Sequence, residues 1–169
     1  MNQIGNKNGL VWIWVSVVIV TLDYITKFFA KKQLLLHIPL SLSPFLNLTL
    51  SYNKGIAFGI LNSDAGWQTW LFGSFAIFLV VGMLLYLYRI SYKERTISIA
   101  LSMVIGGALG NFYDRVHWGQ VTDFIQCHVS DWYFATFNIA DAAICIGMFL
   151  LVIKNIVFPS QQQKSIMEN

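Results

Sequence analysis

The sequence has 169 residues and a net charge of +3, a length that suits one domain spanning 1–169. Hydrophobic residues make up 56% of it and charged residues 11%, against about 25% charged in soluble domains, which excludes an ordinary soluble protein and points to an integral membrane one. The few, scattered basic residues exclude a nucleic-acid partner.

A short polar leader with Lys7 precedes a first apolar segment at 10–29, long enough to cross roughly 30 Å of hydrocarbon at about 1.5 Å per residue. It lacks a small-residue cleavage site and its apolar character resumes after Lys27, so it reads as a retained anchor. Trp12 and Trp14 suit an interfacial aromatic belt. Asp23 and Lys27 are four residues apart and share a helix face, where they can pair. Two compatible readings follow: an ion pair at the helix end with Lys27 snorkelling to the interface, or support for a polar site.

The segment at about 33–63 is the least membrane-like. Pro39 and Pro44 break any helix, and the run 45–53, FLNLTLSYN, alternates polar Asn47, Thr49, Ser51 and Asn53 with Leu46, Leu48, Leu50 and Tyr52. A period of two predicts a strand in a small sheet on the membrane surface, its leucines toward lipid or the helices. Asn53-Lys54-Gly55 predicts a turn and 56–61 a returning strand, with Asp64 as a helix cap.

The second span is expected at 67–88, with aromatic ends and no charged residue. After a short basic loop the third runs over 96–113, where Gly106 to Gly110 (GGALG) supplies the small residues that let helix backbones approach closely. A polar loop at 114–138 leads to the fourth span at 139–158, stopped by Pro159. Cys145 sits in that apolar pattern and Cys127 in the loop, so neither a disulfide nor a metal site is expected. Four spans place both termini and the 89–95 loop on one side, which holds six basic residues against five and is therefore read as cytoplasmic. The six aspartates, Asp23, Asp64, Asp114, Asp123, Asp131 and Asp141, fall at the other, extracytoplasmic side.

A carboxylate at membrane depth is costly unless paired, protonated or wet, so Asn111, Asp114, Arg115, Asp123, Asn138 and Asp141, gathered at adjoining helix ends, form a candidate site. Two carboxyl groups that share one water cannot both ionise, and such a pair holds one proton. Asp123 and Asp141, facing each other from neighbouring helices, are read as that pair. The ionised member takes a proton from water as it attacks an amide, and the protonated member polarises the carbonyl. No metal, cofactor or covalent intermediate is required, and no serine sits in a GxSxG elbow. His37, His117 and His128 read as solvated loop residues. Asn138 fits an N-cap, and Asn53, Asn111 and Asn138 are each either a turn or cap residue or an amide that orients the aspartates or holds a substrate backbone. Asp114 and Arg115 read as a structural ion pair, with lipid phosphate as an alternative partner for Arg115. The rival reading is a small ion- or proton-coupled transporter, which would place polar residues through the depth of the membrane rather than at one side.

Five fragments in order, Asp23-Tyr-Ile-Thr-Lys27, Asn53-Lys-Gly-Ile-Ala-Phe58, Gly106-Gly-Ala-Leu-Gly-Asn111 with Asp114-Arg115, Val121-Thr-Asp123-Phe and Phe137-Asn-Ile-Ala-Asp141, resemble the lipoprotein signal peptidases, signal peptidase II, of the proteobacterial type. The resemblance implies a four-helix transmembrane fold with an extracytoplasmic β-cradle and a short periplasmic helix. It implies an aspartyl endopeptidase of the bacterial inner membrane that cleaves diacylglyceryl-modified prolipoproteins just before the lipidated cysteine. Asp123 and Asp141 carry over as the catalytic pair, and Asp23, Lys27, Asn53, Asn111, Arg115 and Asn138, with Gly55 and Asp114 in the same fragments, as residues that shape or line the site. The implied partners are those substrates and membrane lipids; a monomer is expected.

Overall fold

The computed structural model describes residues 7–54 and 67–157. Among the described residues four helices are long and apolar enough to cross a membrane, which makes this a multi-pass membrane protein. They are α1 (Trp14–Gln33), α2 (Trp67–Arg89), α3 (Arg95–Trp118) and α4 (Ile139–Val157). A 3-10 turn at Gly9–Trp12, capped by the Asn8 side chain on Leu10 N–H, leads into α1. Phenylalanines such as Phe28, Phe75, Phe78 and Phe149 stand exposed around the outside, where lipid rather than water is the solvent.

α3 is the central helix and touches each of the other three. The glycine run explains how. A Cβ on Gly106 would meet the Ser16 backbone of α1 at 2.9 Å, and one on Gly107 would collide with the Ala140 carbonyl of α4. The Ser16 hydroxyl seals the first of these crossings by donating to Ser102 O at 2.6 Å. On the α2 side the seam is apolar, built from Val80, Leu87, Leu101 and Ile105.

At one end of the bundle Gly9 N–H donates to Ile90 O at 2.9 Å and Trp12 Nε1 to Tyr92 O at 3.2 Å, tying the chain's start to the α2–α3 turn as four alternating spans require. The other end carries a four-stranded antiparallel sheet in the order β1-β2-β3-β4, from β1 (Leu40–Ser43), β2 (Leu46–Asn53), β3 (Val121–Val129) and β4 (Trp132–Tyr133).

One expectation is corrected here. The stretch 114–138 is not a loop: α3 runs on through Asp114 and Arg115 to Trp118 and stops at Gly119, whose φ of 69° is the left-handed geometry that ends helices, and β3 and β4 follow. Asp123 and Cys127 therefore lie on a strand. β2 alternates as expected, with Leu46 and Leu48 half-exposed and Leu48 lining a hollow against Thr26, Phe29 and Ala30 of α1, while polar Asn47 and Thr49 are buried on the opposite face. Asn47 reaches across to Gln126 of β3 at 3.5 Å, and a register shift between Leu48 and Ser51 then turns Leu50 inward as well. Gly55, the returning strand expected at 56–61 and the Asp64 cap lie outside the described residues. Among the described residues the surface segment has no short helix.

Candidate active site

Asn138 and Asp141 are fixed by the first turn of α4. Four amide N–H groups at any helix start lack intrahelical partners. Here the Asn138 side-chain oxygen accepts from Asp141 N–H at 2.9 Å, while Asp141 Oδ2 accepts from Asn138 N–H at 3.2 Å. This is a reciprocal capping box with aspartate at the third helical position, and it bears out the N-cap reading of Asn138. The box holds the Asp141 carboxylate at the positive end of the helix dipole.

Asp123 reaches the same place from the sheet. Phe137, the residue before the cap, exchanges backbone hydrogen bonds with Ile125 at 2.8 and 2.9 Å, which locks the start of α4 beside β3. The Asn138 amide then donates to Asp123 Oδ1 at 2.7 Å. One fully buried asparagine thus holds both carboxylates, Asp123 through its amide and Asp141 through its backbone N–H. Asn53 pairs with Val121 across the β2–β3 ladder, so Asp123 is its diagonal neighbour on the same face, and their side chains hydrogen-bond. Burial pushes the Asp123 carboxyl up to about 7, and the nearby Asp141 charge adds to the rise. Hydrogen bonds from Asn138 and Asn53 and the positive charge of Lys27 oppose it. The two carboxylates are close enough to feel each other, but they come from a strand and a helix, not from two helices.

Behind the pair lies a buried ionic cluster. Lys27 Nζ contacts Asp23 Oδ2 at 2.6 Å, Asp114 Oδ2 at 3.2 Å and Asn111 Oδ1 at 3.1 Å. Lys27 is only 3% exposed, so it does not snorkel. Its three acceptors use all three ammonium donors. Each carboxylate is also hydrogen-bonded to backbone, Asp23 by Ala140 N–H of α4 at 3.0 Å and Asp114 by Thr122 N–H of β3 at 2.9 Å. Charges buried this deeply are tolerable only when so completely paired. The cluster therefore acts as a joint between α1, α3, α4 and the sheet. It corrects a second reading, because the ion partner of Asp114 is Lys27 and not Arg115.

Asn111 sits within α3, and its amide nitrogen donates to Asp141 Oδ1 at 2.7 Å. Arg115, one turn on, donates to Asn111 O at 3.5 Å, lies within electrostatic reach of Asp141, Asp123 and Asp114, and has a buried Nε with no hydrogen-bond partner. Its guanidinium lines a cavity of about 630 Å³ between α2 and α3, walled by Trp70, Ile77, Phe78 and Phe112. Of the other candidates, Asp131 is exposed in the β3–β4 turn and His37 in the surface segment, and His117 and His128 stack on Tyr113 and Tyr133 away from the carboxylates. Sequence reading offered Asn138 as an N-cap or as an amide that orients the aspartates, and the structure has it do both at once; the reciprocal bond from Asp141 was not foreseen, although Asn-x-x-Asp ahead of an apolar run is a capping-box signature. It also missed the two backbone donors, Thr122 and Ala140, which no sequence signal marks.

Comparison with known proteins decides between the peptidase and transporter readings. The family description "Signal peptidase (SPase) II" matches residues 15–157. The chain belongs to the signal peptidase II family. Lipoprotein signal peptidases of Coxiella burnetii and Yersinia pestis are similar to it, the first 45% identical over 157 residues, covering 93% of this chain and 96% of the relative, the second 41% identical over 162 residues, covering 96% of each. Two solved structures described as bacterial membrane enzymes share the fold. One aligns with a TM-score of 0.77 at 30% identity, covering 89% of this chain and 92% of that one, the other with 0.75 at 31%, covering 88% and 95%. Membership of the signal peptidase II family makes this membrane protein a peptidase, and the transporter reading is not favoured.

Proposed function

We propose that this chain is an aspartic-type endopeptidase that removes signal peptides from diacylglyceryl-modified prolipoproteins, cutting just before the lipidated cysteine, with Asp123 and Asp141 as the catalytic pair. The observation that carries this reading is Asn138, which joins the two carboxylates at the end of the membrane-spanning helices. The peptide bond of such a substrate lies at the membrane surface, its signal helix lies in the bilayer and its acyl chains stay in lipid. A site at the mouth of the helix bundle, with an apolar cavity opening beside it between α2 and α3, suits all three.

One member of the pair accepts a proton from water as the water oxygen bonds to the scissile carbonyl carbon. The other gives its proton to the carbonyl oxygen. When the tetrahedral species collapses, the C–N bond breaks, the departing nitrogen takes the first proton, and a hydroxyl of the former carbonyl returns one to the second carboxylate. Atoms and protons balance without a metal. Asn53, Asn138 and Asn111 orient the carboxylates. Asp23, Lys27 and Asp114 brace the strand and the helix that carry them, and Arg115 offers its unused donor to the substrate backbone at the cavity wall. The orientation proposed is an inner-membrane protein with the site on the periplasmic face, both termini cytoplasmic, acting as a single-domain monomer among membrane lipids.

Asp123→Asn and Asp141→Asn each change one carboxyl oxygen to an amide and preserve shape. Each is expected to lower cleavage of a purified diacylated prolipoprotein by about 10²–10⁴-fold or more while the protein stays folded and inserted. Near-full activity in either variant removes that residue from the pair.

A further inference from the structure

We propose that Lys27 is a positioning residue for the reaction: acting through the Asn111 amide, it fixes Asp141 as the carboxylate that accepts a proton and leaves Asp123 to carry one. This assignment rests on the aspartyl-pair reading above and deepens it.

The donors and acceptors around the pair have a polarity set from both ends. At one end stands an ammonium, which only donates. Asn111 must therefore turn its oxygen toward Lys27 Nζ, at 3.1 Å, and the same oxygen also accepts from Asn138 Nδ2 at 3.1 Å. A reversed amide would set its two N–H bonds against an ammonium and another amide. With its oxygen so committed, Asn111 can offer Asp141 only N–H, and it does so at 2.7 Å. At the other end stand the amide N–H groups of the first turn of α4, which also only donate. Asp141 N–H fixes the Asn138 oxygen, at 2.9 Å, and so turns Asn138 Nδ2 toward Asp123.

The two carboxyl groups are consequently inequivalent. Asp141 receives a donor on each oxygen, from Asn111 Nδ2 on Oδ1 and from Asn138 N–H on Oδ2. A carboxylate accepts two such bonds, whereas a carboxylic acid must turn one oxygen into a donor, which neither of these partners can receive. Asp123 accepts from the Asn53 side chain, but its other donor, the Nδ2 of Asn138, is divided with Asn111 Oδ1 and Thr122 O, two hydrogens for three acceptors. That divided donor, set against the two undivided ones on Asp141 at the start of α4, leaves Asp123 the place for the proton, and its burial beside Asp141 acts in the same direction. The charged groups around the pair comprise Arg115 from α3, Lys27 from α1 and, behind Lys27, Asp23 from α1 and Asp114 from α3. Lys27 is held by both of these carboxylates, so its ammonium is anchored where Asn111 needs it.

Asn111→Asp tests the relay while keeping the ionic cluster. Its carboxylate still accepts from Lys27 and Asn138 but presents Asp141 with an acceptor in place of a donor. The expected result is a fall in kcat of about 10²–10³-fold with KM nearly unchanged, together with a move of the acid side of the kcat/KM profile to higher pH. Lys27→Met, which frees the amide to turn, is expected to lower kcat in the same way, and Lys27→Arg, still a donor, to recover part of it. A folded Asn111→Asp or Lys27→Met protein with the wild-type kcat and pH profile overturns the positioning role.

The protonation assignment is read separately and without turnover, by carboxyl-carbon NMR of aspartate-labelled protein in micelles. The aspartate that titrates near pH 7 is expected to vanish in Asp123→Asn and to persist, at lower pH, in Asp141→Asn. Its survival in Asp123→Asn overturns the assignment. Loss of activity in both variants with the titration following Asp141 sinks only this inference, whereas full activity in either sinks the aspartyl pair itself.

Discussion

Replacing Gly110 by alanine puts one methyl group against the buried Asp23 carboxylate, where α3 crosses α1. The new Cβ would stand 2.7 Å from Asp23 Oδ2, 3.3 Å from Asp23 Cγ and 3.4 Å from the Ala140 Cβ. Favourable separations between such atoms begin at about 3.5 Å, so something must give by a large fraction of an ångström. Asp23 has little freedom to do so, since Lys27 grips one oxygen at 2.6 Å and Ala140 N–H the other at 3.0 Å. Forcing the helices apart costs about 1–3 kcal/mol and giving up a hydrogen bond to a charged group about 1.5–3 kcal/mol. With only part of each incurred, about 2–4 kcal/mol is expected, a fall in melting temperature of roughly 5–15 °C in micelles. The movement also shifts Asn111, the next residue, away from Asp141, so cleavage should fall as well. The control is a double-mutant cycle with Asp23→Ala, in which the methyl group has room and the two losses should be less than additive by about 0.5–3 kcal/mol. A Gly110→Ala protein that melts and cleaves like wild type, or losses that simply add, would refute the close packing of α3 on Asp23.

Three further outcomes follow from the site. Asp123 is held at a pKa of about 7 against an ordinary value of 3.8, so the folded state binds its proton more tightly than the unfolded chain does. Its contribution to stability is fully present below about pH 3.8 and is lost as pH rises through about 7; unfolding midpoints should therefore fall across that window more steeply in wild type than in Asp123→Asn. The same ionisation removes the pair's only proton, so kcat/KM should decline on the alkaline side from about pH 7. Arg115→Gln, which withdraws a charged donor from the α2–α3 cavity wall, should raise KM or lower kcat/KM by about 10–100-fold with the fold intact, as measured on a diacylated substrate. Chelating agents should leave cleavage unchanged, and loss on chelation restored by a divalent ion would reassign the aspartates as metal ligands.

The spans and the collection of Asp, Asn and Arg at one end were legible because hydropathy and the cost of buried charge act locally along a chain. β3 was not. Its first four residues, Val121 to Phe124, are buried on both faces, so polar and apolar residues do not alternate along it, and without alternation a short strand resembles a loop. The end of α3 was misplaced for a related reason. Asp114 and Arg115 look like the edge of the membrane, yet the helix continues because Lys27, 87 positions earlier, neutralises Asp114, and Gly119 was the stop signal in plain view. The alternation of β2 was legible as a strand with its leucines toward lipid or the helices. The burial of Asn47 and Thr49 on the other face was not, because the Gln126 of β3 that meets Asn47 is distant in sequence.

The assembly of the carboxylate pair has a temporal side. β2 leaves the ribosome before α2 and α3, yet its partner β3 follows them, and the Asp23 oxygen that secures α4 waits for an amide 117 positions downstream. No nascent chain lacking α4 can bring Asp141 and the Asn138 amide to Asp123. The carboxylate pair therefore does not exist until α4 has followed β3 out of the ribosome.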